Sequence, residues 1–163
     1  MTTTLLIQTE SSPLTVSLPA VAPMTHDEFY AFCQANRDLR IERTATGDVV
    51  IMPPAFSDTG NRNFNLAAYL WVWTEQDGTG LGFDSSSGFT LPNGATRSPD
   101  AAWIQSDRWN ALTEQEKASF APICPDFVIE LRSVSDTLTG LQSKMQEYIE
   151  NGVSLGRANA YIS

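Results

Sequence analysis

The apolar positions along this chain change their period several times, and each change marks an expected element. Thr25 and Glu28 are spaced as a capping box, and Phe29, Phe32 and Cys33 follow at helical spacing until Asn36 closes a short helix. Leu39–Arg43 and Val49–Met52, joined through Thr46-Gly47-Asp48, predict a β-hairpin that Pro53-Pro54 ends. A second helix is expected to start near Ser57–Gly60 and to run to about Thr74, burying Phe64, Ala67, Leu70 and Trp71. Past the turn Gln76–Gly80, the segments Leu81–Asp84, Gly88–Leu91 and Thr96–Ile104 predict strands, with Pro92-Asn93-Gly94 as a tight turn.

A second capping-box spacing, Thr113 to Glu116, opens a short surface helix. Phe127–Arg132 then predicts a buried strand. Asp136 or Thr137 caps a helix to about Asn151, with Leu138, Leu141, Met145, Tyr148 and Ile149 as its apolar stripe and Gly152 as its C-cap. Residues 1–23 predict an extended, polar lead-in to a single domain over residues 1–163. Helix, antiparallel strands, central strand and helix together predict a mixed α/β fold, a sheet flanked by helices.

Composition narrows the chemistry. At 163 residues and 42% hydrophobic content the chain can bury a core, and no apolar run approaches the ~18–20 residues that span a membrane. The two cysteines, Cys33 and Cys124, lack C-x-x-C spacing, so a reduced cytoplasmic setting is expected. The single histidine, His26, falls in the first turn of the first helix, which leaves Ser-His-Asp catalysis and zinc little to work with. Any catalysis rests on carboxylates, Lys, Arg and metal. A net charge of −9 argues against broad attraction to nucleic acid, though not against a local groove.

Two segments carry candidate chemistry. Ser98-Pro99-Asp100-Ala101-Ala102-Trp103-Ile104 and Pro125-Asp126-Phe127-Val128-Ile129-Glu130-Leu131-Arg132-Ser133 each read as an apolar strand bearing a carboxylate. Residues two apart on a strand share a face, so Glu130 and Arg132 are expected to look out together. Asp100 and Glu130 on neighbouring strands, with a cation beside them, would make a divalent-metal site for phosphodiester cleavage. Bland readings stand beside this one: Asp100 as a strand-start turn residue, and Glu130 in an ion pair with Arg132 or Lys144. Lys144 could equally snorkel to solvent from the flank of its helix. Asp126, at the strand entrance, is expected to serve as a cap, and Lys117 to be solvated.

The chain also resembles a known family. The matching text is Arg40-Ile41-Glu42-Arg43-Thr44, Gly47, Ile51-Met52-Pro53-Pro54 and Thr59-Gly60-Asn61-Arg62-Asn63, then Ser98–Ala101, Pro125–Ser133 and Leu141–Val153. It spans most of residues 24–156 and resembles the restriction-endonuclease family abundant in cyanobacteria, a branch of the PD-(D/E)xK nuclease superfamily. The resemblance implies a restriction-endonuclease-like fold and a nuclease acting on DNA, with a homodimer as a candidate assembly. It also implies Mg²⁺ or Mn²⁺ held by Asp100 and Glu130 with the main-chain carbonyl of Leu131. Where the superfamily places a lysine two residues after the glutamate this chain has Arg132, and Lys144 on the following helix fits the migrated cation of some branches. The tail from Leu155 to Ser163 departs from the family pattern, so a shortened C-terminal edge of the sheet is expected. The alternative reading is a non-catalytic partner-binding or subunit protein on the same fold.

Overall fold

The computed structural model describes residues 13–16, 24–132 and 136–159, with backbone alone for residues 155–159. The rest of the expected lead-in at residues 1–12 and 17–23, and the last four residues, lie outside the described residues. Strand β1 (Leu14–Val16) precedes helix α1 (His26–Ala35), which begins with the expected capping box: Thr25 accepts from the Glu28 amide, and Glu28 accepts from the Thr25 amide. The hairpin follows as β2 (Arg40–Arg43) and β3 (Val49–Met52), paired antiparallel with Ile41 opposite Ile51. Helix α2 (Ser57–Asp77) continues three residues past the expected stop at Thr74, until Gly78 adopts the left-handed conformation (φ 67°) that releases the chain.

The remaining strands are β4 (Gly80–Asp84), β5 (Phe89–Thr90), β6 (Thr96–Arg97), β7 (Ala101–Gln105) and β8 (Phe127–Leu131). Helices α3 (Ser106–Asn110) and α4 (Glu114–Lys117) are surface turns, α4 with the second expected capping box. Helix α5 (Leu138–Glu150), capped by the Thr137 side chain, leads to β9 (Leu155–Asn159). Two sheets result where the sequence suggested one: a five-stranded sheet in the order β1-β3-β2-β6-β5 and a four-stranded sheet in the order β4-β7-β8-β9. The long run predicted over Thr96–Ile104 is what divides them. It breaks at Ser98-Pro99-Asp100, where proline removes a ladder donor, so β6 joins one sheet and β7 the other. Strand β9 forms the edge of the four-stranded sheet, paired parallel with β8.

Strand alternation splits the four-stranded sheet into two faces. Ala101, Trp103, Phe127, Ile129 and Leu131 meet Leu66 and Leu70 of α2, while Ala102, Ile104 and Val128 meet Met145 and Tyr148 of α5. Helix α2 is rotated from its expected setting. It buries Leu66, Leu70 and Thr74, leaving Phe64 72% and Trp71 64% exposed. The bulk on this sheet face explains the choice: Trp103 and Phe127 fill the interface, so the helix presents branched side chains spaced four apart. Beside them Gly82 lies close to Thr74, whose hydroxyl oxygen would stand 3.2 Å from a Cβ at that position.

Gly80 is a second point of close approach. A Cβ there would run into the Trp103 indole and approach the Ile104 carbonyl oxygen to 2.5 Å. Gly80→Ala is therefore expected to cost about 1–3 kcal/mol, the usual cost of overpacking, measured by chemical denaturation. Unchanged stability would show that β4 and the Trp103 ring can shift freely.

Candidate active site

Of the side chains nominated from the sequence, Asp100, Glu130 and Lys144 meet on the α5 face of the four-stranded sheet. Antiparallel β7 and β8 align Ala101 with Ile129, and one further step along the same register sets Asp100 opposite Glu130. Both point the way Ala102 and Val128 point, towards α5. Both are buried. The Asp100 carboxylate accepts from the Leu131 amide at 2.8 Å, across the strand pair.

Lys144 reaches the cluster from the second turn of α5 and does not snorkel outward. Its Nζ lies 2.7 Å from Glu130 Oε1 and 2.9 Å from Glu42 Oε1. The Tyr148 hydroxyl, one helical turn on, donates to Glu130 Oε1 at 3.1 Å. Lys144 and Tyr148 are four residues apart and so occupy one helix face, which the apolar stripe of Leu141 and Met145 turns to the sheet.

Arg132 is placed elsewhere. Strand β8 ends at Leu131, so the alternation that would set Arg132 beside Glu130 stops one residue short. Its Nε donates to the Asp136 carbonyl at 3.4 Å, on the approach to α5. Asp126 takes the expected role at the strand entrance, accepting from the Gln105 amide and pairing with Arg108 at 2.5 Å. Lys117 pairs with Glu114 on the surface. The expected environment of His26 differs slightly, since its Nδ1 meets the Thr90 hydroxyl at 3.2 Å.

Two residues of β2 join the site that sequence reasoning did not nominate. In Arg40-Ile41-Glu42-Arg43, Ile41 and Arg43 face α1, where the Arg43 guanidinium lies 4.9 Å from the centre of the Phe29 ring. Arg40 and Glu42 take the other face. Glu42 is 1% exposed and accepts from Lys144, from the Ser98 amide at 3.0 Å and from Arg97 at 3.2 Å. Arg40 meets Asp100 at 3.3 Å and the Ser98 carbonyl at 2.9 Å. The strand alternation in β2 assigns the Arg40/Glu42 face to solvent. Only the second sheet, folded across it through the Ser98–Asp100 break, covers it. The one signal in the sequence was the charge of both signs on a single short strand.

Electrostatics separate the two glutamates that flank Lys144. Burial pushes the Glu130 carboxyl up to about 7; Lys144 opposes this, while Glu42 and Asp100 reinforce it. Burial works against the charge on Glu42 too, but Lys144, Arg97 and the Ser98 amide outweigh it and hold its carboxyl below the ordinary range. Burial likewise disfavours the Lys144 ammonium, and Glu130 and Glu42 more than compensate, holding it above the usual lysine range. Lys144 is thus a fixed cation, Glu42 a fixed anion and Glu130 the acid poised to exchange a proton. Tyr148 is pushed well up by burial and by Glu130, and stays a donor.

A cleft of about 450 Å³ opens onto this cluster, with Asp100, Glu130, Lys144 and Arg40 on its floor. The described residues contain no cluster of three or more His, Cys, Asp or Glu able to cage a metal. Two carboxylates and a neighbouring main-chain carbonyl nonetheless fit Mg²⁺ or Mn²⁺, since Mg²⁺ keeps several waters and needs only one or two carboxylates plus phosphate. Zinc does not fit, because no Cys or His reaches the cleft.

Comparison with known proteins agrees with this architecture. No curated protein matches the chain. The crystal structure titled "a putative nuclease belonging to DUF820", from Anabaena variabilis, superposes with a TM-score of 0.62 at 16% identity, covering 83% of this chain and 73% of that one. That likeness shows a shared fold. The family model described as "Uma2: Putative restriction endonuclease" matches residues 26–157, a span that holds every residue of the cluster. The chain belongs to the Uma2 family.

Proposed function

We propose that the protein is a divalent-metal-dependent nuclease that hydrolyses phosphodiester bonds of DNA. The observation that carries this reading is the meeting of Asp100 and Glu130 across β7 and β8 beside the Lys144 ammonium, at the floor of an open cleft. Asp100 and Glu130, with the Leu131 carbonyl, would hold Mg²⁺ or Mn²⁺. When bound, such an ion lowers the pKa of a coordinated water and neutralises charge on the cleaved phosphate.

The chain's own residues supply the rest. Glu130 and Glu42 hold the Lys144 proton above the usual lysine range, so its ammonium is an electrostatic partner for the phosphate or for developing negative charge, and not a base. Glu42 and Tyr148 fix where that ammonium and the Glu130 carboxylate sit. Arg40 neutralises Asp100 in the metal-free protein, and its guanidinium can turn to a substrate phosphate once a metal takes that carboxylate. Arg132, outside the cluster, is assigned no part in the chemistry.

Pairing of each of these carboxylates with a cation or an amide also suits a non-catalytic protein on the same fold. Calorimetric titration with Mn²⁺ separates the two readings. Micromolar to millimolar binding coupled to cleavage of plasmid DNA is expected, and absence of Mn²⁺ binding would make the network purely structural. In the same titration Arg40→Gln is expected to bind Mn²⁺ several-fold more tightly, because Asp100 loses a competing cation, while cleaving DNA at least tenfold more slowly. Equal Mn²⁺ affinity in both proteins would mean that Arg40 does not compete for Asp100.

A further inference from the structure

We propose that the cleft accepts one unpaired nucleotide, its base lying against Phe56 and the Pro53-Pro54 wall and its phosphate against Arg40, so that the preferred substrate is single-stranded or frayed nucleic acid. This rests on the nuclease reading and adds the substrate class.

The cleft is two-sided. Its floor is the charged cluster, whereas one wall is apolar, built from Met52, Pro53, Pro54, Ala55 and Phe56 at the junction of β3 and α2. Phe56 is the one aromatic residue among the described lining residues, and it is 62% exposed beside an ionic site. A hydrophobic ring held open there by two prolines suits the face of a nucleobase, which stacks on aromatics whatever its sequence.

Unsatisfied polar atoms in the same cleft point to a ligand. Arg40 Nε and Asn63 Oδ1 are buried and have no hydrogen-bond partner, and both residues line the cleft. Buried polar groups are rarely left so. The donor suits a phosphate oxygen, and the acceptor suits a ring or exocyclic N–H of a base, such as N3–H of thymine.

The charge distribution favours a single strand over a duplex. Duplex binding relies on Lys and Arg neutralising several phosphates along both strands. The chain has ten such residues against nineteen acids, and outside the cleft Arg62, Arg97, Arg108 and Lys117 are already engaged in ion pairs, which leaves Arg40 and Lys144 in the cleft itself to meet a phosphate. Arg43 donates to the carbonyls of Met24, Thr25 and Gly94. Among the described residues the cations that line the cleft are Arg40 and Lys144. Stacking at one nucleotide needs no track of charge beyond these.

Fluorescence anisotropy tests the proposal. A labelled thymidine oligomer and its duplex with a deoxyadenosine oligomer are titrated with the full chain, with Ca²⁺ supplied in place of Mn²⁺ to suppress cleavage. The single strand is expected to bind at least tenfold more tightly than the duplex. Phe56→Ala, an exposed site whose truncation leaves the core intact, is expected to weaken single-strand binding about tenfold, the loss expected for one stacked base, and Phe56→Tyr to restore it. A duplex bound as tightly as the single strand, or full single-strand affinity in Phe56→Ala, overturns the proposal. Mn²⁺ titration of the same sample keeps the two readings apart. Mn²⁺ binding without single-strand preference overturns the substrate class alone, and failure to bind Mn²⁺ overturns the metal-dependent reading.

Discussion

Lys144→Met is expected to destabilise the protein by about 3–5 kcal/mol at pH 8, the cost of breaking a buried pair and leaving charge behind. Its ammonium is the counter-charge nearest to two buried carboxylates, at 2.7 Å from Glu130 and 2.9 Å from Glu42. Glu42 would keep Arg97 and the Ser98 amide, but Glu130 would keep only a neutral donor, the Tyr148 hydroxyl. The variant should therefore recover stability as the pH is lowered and Glu130 takes up a proton. The double variant Glu130→Gln/Lys144→Met should be more stable than Lys144→Met alone at pH 8. DNA cleavage should be lost in both. Lys117→Met serves as the control: its partner Glu114 is solvent-exposed, so the change should stay within about 0.5 kcal/mol and leave cleavage intact. Urea denaturation at several pH values checks the stability changes and a plasmid-cleavage assay the activities, and wild-type stability in Lys144→Met would show that the carboxylates do not depend on this lysine.

Glu130→Gln separates metal binding from folding. The variant keeps the shape and the oxygen that Lys144 and Tyr148 contact, but carries no charge to hold a cation, so Mn²⁺ binding and cleavage should both disappear. Folding should not suffer. Burial pushes the Glu130 carboxyl up to about 7 against 4.5 ordinarily, so between those values the native state holds a proton that the unfolded chain has lost. Its contribution to stability is therefore complete below pH 4.5 and lost as the pH rises through 7. Glu130→Gln should therefore be more stable than the metal-free wild type at pH 8, and the two should converge as the pH is lowered. Metal needs the ionised carboxylate, so wild-type Mn²⁺ affinity should rise about tenfold per pH unit up to pH 7 and level off above it. Stability profiles that run parallel with pH in the two proteins would show that Glu130 is ionised throughout. Mn²⁺ binding retained in Glu130→Gln would place the metal on other ligands.

Local signals in the sequence were enough to set the boundaries of most elements. Capping boxes at Thr25 and Thr113, the proline pair after Met52 and the stripe of Leu141, Met145 and Tyr148 act over one or two turns, and the structure obeys each of them. The placement of Asp100 and Glu130 was legible for the same reason. Each sits on a strand whose alternation fixes its face, and the two strands needed only to be neighbours. The family resemblance was carried by short motifs of this kind, and so was the expectation that Lys144 reaches the carboxylates.

What the sequence left open depended on which surfaces meet. The rotation of α2, with Phe64 and Trp71 outward, follows from the bulk of Trp103 and Phe127 on a sheet formed by distant segments. Separation of Arg132 from Glu130 followed from where β8 ends, one residue before the alternation would have paired them. Glu42 and Arg40 lay on what reads as the solvent face of a hairpin strand and became site residues only when the second sheet closed over them. A carboxylate there is tolerable because Lys144 and Arg97, at sequence separations of 102 and 55, arrive to neutralise it. Local pattern determined the elements and the faces of single strands, because those depend on contacts one to four residues apart. Charge pairing and burial in the cluster were decided by tertiary structure, because there each group owes its state to partners from another sheet or from α5.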